Sequence, residues 1–140
     1  MLKKIHLIGQ IENIFRIIME LLGYKIWRPK KIIDVNNIKY KPDFEDDNFY
    51  YEIKTRNWTT TGTIGEKIFS VPYKYSSIPL QTGKKIKIIL IAFQEYECSV
   101  NNSLSIFYEK LSTEKIEQLK LFQKQGFEYI PFTYYINLIK

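Results

Sequence analysis

The segment Lys41-Pro42-Asp43-Phe44 is followed, across an acidic turn, by Phe49-Tyr50-Tyr51-Glu52-Ile53-Lys54. A hairpin turn at Asp46-Asp47, with Glu45 facing Asn48, sets Asp43 opposite Tyr50 and Lys41 opposite Glu52. Side chains alternate between the two faces of a strand, so Asp43, Tyr50, Glu52 and Lys54 project from the same one. Asp43 and Glu52 become diagonal cross-strand neighbours, with Cα atoms about 7–8 Å apart. Lys54 sits one pleat further along.

Two carboxylates at that separation can converge on one ion. Mg²⁺ is a hard cation that takes oxygen ligands, usually one or two carboxylates with water and substrate phosphate. Such an ion neutralises a phosphodiester and lowers the pKa of a bound water that attacks it. A neighbouring ammonium orients that water or stabilises the charge building on the phosphoryl oxygens. Two facing acids without a cation repel, so the pair itself points to one.

These residues need elements to hold them. From Ile5 to Leu22 apolar residues recur at steps of three and four, which predicts an amphipathic helix stopped by Gly23. Glu12 lies at the edge of that apolar stripe, where it becomes a third candidate metal ligand if the edge faces the hairpin. Tyr24 to Trp27 and Lys31 to Val35 read as extended, with Asn36-Asn37 as a tight turn. Ile38 to Phe44 and Phe49 to Thr55 read as further strands. A helix is expected from Ile64 to about Ser70, disturbed by Pro72 and Pro79. Lys85 to Phe93 is a β-branched run suited to a central strand. Ser112 opens a last helix that Gly126 stops, and Phe127 to Tyr135 reads as a final strand. One domain over residues 1–140 is expected, an α/β (α+β) fold with one mixed sheet.

Pro42-Asp43, eight residues, then Glu52-Ile53-Lys54 resembles the signature of the PD-(D/E)xK nuclease superfamily, and small type II restriction enzymes within it. The resemblance runs from roughly Ile8 to Phe93. It implies a restriction-endonuclease-like αβββαβ core, here with an added C-terminal helix and strand. It also implies metal-dependent DNA hydrolysis: Asp43 and Glu52 as metal ligands, Lys54 as the catalytic lysine, and Glu12 as the first-helix acid that some members use. The implied cofactor is Mg²⁺, with Mn²⁺ able to replace it. Junction resolution, repair and mobile-element roles share the motif. A non-catalytic basic module that binds nucleic acid or protein on the same fold is the opposing reading.

Composition bounds these readings. The 140 residues include 21 Lys and Arg against 15 Asp and Glu, a formal charge of +6 that attracts polyanions such as DNA. Hydrophobic residues make up 45%, enough to bury a core and exclude a disordered chain. Cys98 and His6 are single, so neither a disulfide framework nor a zinc site is available, and no Ser/His/Asp or Cys/His set appears. A soluble, intracellular protein without membrane contact is expected. Arg56, Trp58, Thr61 and Thr63 follow the motif in a hydroxyl-rich loop, and with Lys67 they are candidate DNA contacts. Lys84, Lys85 and Lys87 form a charged strand edge. So short a chain has little material for base readout, so cutting both strands calls for a homodimer or a recognition subunit.

Overall fold

A four-stranded sheet holds the centre of the computed structural model, which describes residues 2–55 and 63–139, with side chains over 9–55 and 66–139. Its strands are β3 (Phe44–Glu45), β4 (Phe49–Lys54), β5 (Lys85–Leu90) and β6 (Phe127–Pro131), in that spatial order. β3 runs antiparallel to β4, whereas β4, β5 and β6 are parallel. A separate hairpin pairs β1 (Ile32–Ile33) with β2 (Lys39–Tyr40). The fold is mixed α and β on a mixed sheet, as expected.

Helix α1 (Leu2–Leu21) forms because its apolar residues fall on one face; Phe15 and Met19 are completely buried there. It stops where Gly23, at φ +90°, turns the chain left-handed. The Tyr24 N–H then reaches the Met19 carbonyl and the Gly23 N–H that of Glu20, closing the helix end. Parallel strands need long crossovers. The one from β4 to β5 carries a 3₁₀ helix (Thr63–Ser70), α2 (Val71–Lys74) and α3 (Ile78–Thr82). The one from β5 to β6 carries α4 (Phe93–Ser99) and α5 (Thr113–Lys124), and α6 (Phe132–Ile139) follows β6. Ser112 caps α5, its side chain accepting the Lys115 N–H at 3.3 Å.

The sheet separates two cores. Ile86, Ile88 and Leu90 pack with Ile68, Val71, Tyr75 and Ile78 on one face. Tyr51, Ile89 and Ile130 pack with Phe15, Met19, Phe132 and Tyr135 on the other.

Several elements differ from their sequence reading. The expected strand from Ile38 to Phe44 is two, β2 and β3, because Pro42 between them has no N–H to give a ladder. Tyr24 to Trp27 contributes a single bridge, Trp27 to Glu45. Pro72 and Pro79 do not merely end a helix; each sits in the first turn of a new short one, where a missing N–H is harmless. The strand expected to reach Phe93 stops at Leu90, and the chain turns at Ala92 (φ +58°) into α4. The final strand stops at Pro131, and the rest of Phe127 to Tyr135 is helical. Phe132 and Tyr135, three apart, are both buried there.

Candidate active site

The hairpin that carries Asp43 and Glu52 turns one residue later along the chain than the sequence suggests, at Asp47-Asn48 instead of Asp46-Asp47. Phe44 pairs with Tyr51 and Glu45 with Tyr50, and the Asp46 N–H donates to the Phe49 carbonyl at 2.9 Å. Asp46 therefore ends the ladder instead of sitting inside the turn. Its Oδ1 accepts the N–H groups of Asn48 (2.8 Å) and Phe49 (2.7 Å), and its Oδ2 accepts the Tyr51 hydroxyl at 2.6 Å. A shift of two positions keeps every side chain on its expected face. It moves Asp43 from opposite Tyr50 to opposite Glu52.

Beyond Phe44 the ladder gives way to the Asp43 side chain. Its N–H donates to the Tyr51 carbonyl at 3.0 Å, and its Oδ2 accepts the Ile53 N–H at 2.7 Å. That bond fixes the carboxylate against β4, where it shares a hydrogen bond with the buried Glu52. Burial, then the charge of Glu52, push the Asp43 carboxyl from its ordinary 3.8 up to about 7. Ile53 and Glu12 pull the other way, less strongly. Tyr75, at the end of α2 and 5% exposed, stands against Glu52; burial first, then the Glu52 charge, raise its pKa.

Glu12 approaches from α1. Its Oε2 lies 3.1 Å from the guanidinium of Arg28, whose other arm donates to the Asp43 carbonyl at 3.2 Å. The same guanidinium stacks over the completely buried Phe44 ring, 4.4 Å from its centroid. Burial raises the Glu12 pKa, Arg28 opposes this, and the neighbouring Asp43 adds to it. The three acids thus form a series with Asp43 in the middle. They do not converge: among the described residues no group of three or more His, Cys, Asp or Glu side chains is placed to hold a metal ion. Asp43 hydrogen-bonds with Glu52 on one side and Glu12 on the other, and Glu12 is also paired with Arg28.

Lys54 lies one pleat beyond Glu52, partly exposed, at the C-terminal end of β4. The Ile91 N–H bonds the Lys54 carbonyl at 3.0 Å, and the Thr55 hydroxyl donates to the Ile91 carbonyl at 3.3 Å, so the strand end is anchored. No ion pair with a described residue occupies its ammonium. Ligands of parallel sheets bind outside the carboxyl ends of the strands, and this is where Lys54 is.

The remaining candidates are elsewhere or consumed. Lys67 is exposed on the 3₁₀ helix, and no side-chain bond joins it to the acids. Phe49 pairs with Lys85 and Lys54 with Leu90, so Lys84, Lys85 and Lys87 occupy the opposite end of the sheet. Lys84 is spent on the fold, 2.6 Å from Glu45 Oε2 and 2.8 Å from the Asp46 carbonyl, and the Lys87 ammonium sits 3.8 Å over the Phe49 ring. Cys98 is completely buried, and burial pushes its thiol up to about 12, which makes it inert. Arg56, Trp58 and Thr61 lie outside the described residues, as do the side chains of Thr63 and His6.

Sequence reasoning missed Arg28 and Tyr75. Arg28 carried a signal, because only three of the 21 basic residues are arginine. An arginine among lysines marks a place where a planar two-armed donor is needed. Tyr75 carried none; its position depends on how α2 and α3 fold back on the sheet.

A hard divalent cation fits the Asp43–Glu52 pair. Glu52 is buried with Asp43 half-buried beside it, and burial and the Glu52 charge disfavour ionised Asp43, a cost that a cation would offset. All donors are oxygens, the chemistry Mg²⁺ prefers. Among the described residues no helix is long and apolar enough to cross a membrane. No family model, curated protein or solved structure matches the chain.

Proposed function

We propose that this protein is a divalent-metal-dependent DNA endonuclease of the PD-(D/E)xK type, hydrolysing phosphodiester bonds. The observation that carries this reading is the contact between Asp43 and buried Glu52, with Lys54, in no ion pair with a described residue, one pleat further on. Asp43 and Glu52 are the residues that would hold Mg²⁺ or Mn²⁺. When bound, such an ion supplies charge neutralisation at the scissile phosphate and a water acidified enough to attack.

The chain's own groups do the rest. Ile53, through its N–H, holds Asp43 in one rotamer. Asp43 surrenders its proton as the site is loaded, which its raised pKa allows near neutrality. Lys54 directs its ammonium at the attacking water or the non-bridging phosphoryl oxygens. The net charge of +6 draws the DNA backbone in, giving affinity that falls with salt. One site cuts one strand, so restriction-type cleavage uses a homodimer or a recognition subunit.

Supercoiled plasmid incubated with Mg²⁺, with EDTA, and with the Lys54→Ala protein tests the reading. Metal-dependent nicking that EDTA and the substitution abolish is the expected result. Gel shifts with no cutting at any Mg²⁺ or Mn²⁺ concentration would replace the enzyme with a non-catalytic DNA-binding module.

A further inference from the structure

We propose that Arg28 is a positioning residue that stands in the place of a second cation and restricts the acid cluster to one divalent ion. The inference rests on the metal-binding reading of Asp43 and Glu52. Its geometric basis is independent of that reading: one guanidinium spans Glu12 Oε2 at 3.1 Å and the Asp43 carbonyl at 3.2 Å.

Three features make this a fixed cation and not a passing surface pair. The Arg28 side chain is 46% exposed, but its guanidinium lies over the completely buried Phe44 ring, which adds a cation–π contact to the ion pair. Its two arms bind acceptors from two elements, α1 and the start of the hairpin, so losing one contact does not free it. The Glu12 side chain is only 16% exposed, so the charge it would lose with Arg28 is poorly served by water.

The consequence for ion count follows from the order of the acids. A two-ion phosphodiesterase needs a carboxylate that bridges ions about 3.5–4 Å apart and a further ligand for each. Asp43, between Glu12 and Glu52, is where a bridging ligand would be, and Glu12 is the ligand a second ion would require. Arg28 already neutralises Glu12 with a permanent charge. The second position is therefore filled by protein, and Asp43 and Glu52 remain for one ion.

Manganese binding, followed by the loss of the free Mn²⁺ electron paramagnetic resonance signal, reads this out without any assay of cleavage. The wild-type chain is expected to bind one Mn²⁺. Arg28→Met, which keeps an apolar contact for Phe44, is expected to bind two, and Arg28→Met with Glu12→Gln to return to one. Two ions on the wild type, or one on a folded Arg28→Met protein, would overturn the proposal and leave the nuclease reading standing. No ion on the wild type would overturn both. Should Arg28→Met fail to fold, Glu12→Gln alone decides: one ion retained supports the assignment, and abolished binding overturns it by making Glu12 a ligand.

Discussion

The carboxylate of Asp43 accepts the Ile53 N–H at 2.7 Å, so an acid on one strand end is locked to the residue that follows Glu52 on the next. The bond settles which way Asp43 faces. It brings the side chain against Glu52, whose charge adds to burial in disfavouring ionised Asp43.

That contact gives stability a pH dependence whose sign is fixed. The folded Asp43 carboxyl titrates at about 7, above its ordinary 3.8, so folding favours its neutral form. The resulting stabilisation is complete below about pH 4 and is lost as pH rises through 7. Glu12, also raised, acts in the same direction. In EDTA the melting temperature should fall by roughly 5 °C between pH 5.5 and 8.5. Mg²⁺ should restore it more at pH 8.5 than at 5.5, and Asp43→Asn should flatten the slope. Scanning calorimetry across this range checks it; an EDTA profile that rises towards pH 8.5 contradicts it.

Removing either acid should separate binding from cutting. Asp43→Asn and Glu52→Gln keep shape but lose the charge that would hold the ion, and each should reduce plasmid cleavage by about 10³-fold or more. DNA affinity depends on the basic surface and should stay within about threefold, with an unchanged salt slope. Gel shifts in Ca²⁺ alongside Mg²⁺ cleavage measure both. Full cutting by either variant would place the ion elsewhere.

The acids and the lysine were legible in the sequence because strand alternation has a period of two. The turn was misplaced by one residue, which shifts the register by two and leaves Asp43, Glu52 and Lys54 on one face. The distance did not survive: the diagonal became a direct pairing, because the Asp46 carboxylate gathers the turn's own N–H groups. The Glu12–Arg28 pair was illegible, since these residues are 16 apart and meet only when α1 docks on the hairpin. The helix at Phe132–Ile139 was hidden by β-favouring residues. There the burial of Phe132 and Tyr135 on one helical face outweighs local preference.

Tyr51 ties the hairpin to the core that carries α1. Its hydroxyl donates to the buried Asp46 carboxylate at 2.6 Å, a charge-assisted bond out of solvent. Tyr51→Phe should destabilise the protein by about 1.5–3 kcal/mol. Urea unfolding measures this, with a fall in midpoint at unchanged m-value. A loss below about 0.5 kcal/mol would mean that water already satisfies Asp46.

Gly126 ends α5 at φ +100°, and a Cβ there would lie 2.7 Å from Pro79 Cβ and 2.8 Å from its Cγ. The Gly126 carbonyl also accepts the Ile86 N–H at 2.8 Å, so the backbone has no freedom to retreat. Strain and overlap add, and Gly126→Ala should cost about 2–4 kcal/mol. Chemical denaturation tests this, and a neutral substitution would show that α3 can move away from the start of β6.

Lys54 offers the sharpest distinction between a residue that acts on the substrate and one that merely stabilises the acids. Its ammonium is not in an ion pair with a described residue, and its side chain is partly exposed. Lys54→Ala should therefore leave thermal stability within about 1 kcal/mol and the Mn²⁺ stoichiometry unchanged. The rate of plasmid nicking should fall by about 10²–10³-fold, the usual loss when one aimed cation or donor is removed. Lys54→Arg keeps the charge but replaces a compact ammonium with a broad planar group. It should recover less than about a tenth of the lost rate if the ammonium orients a water at one point. Single-turnover cleavage at saturating Mg²⁺ measures these rates free of binding. Full rescue by arginine would reduce Lys54 to a bulk electrostatic contribution, and a wild-type rate in Lys54→Ala would remove it from the chemistry.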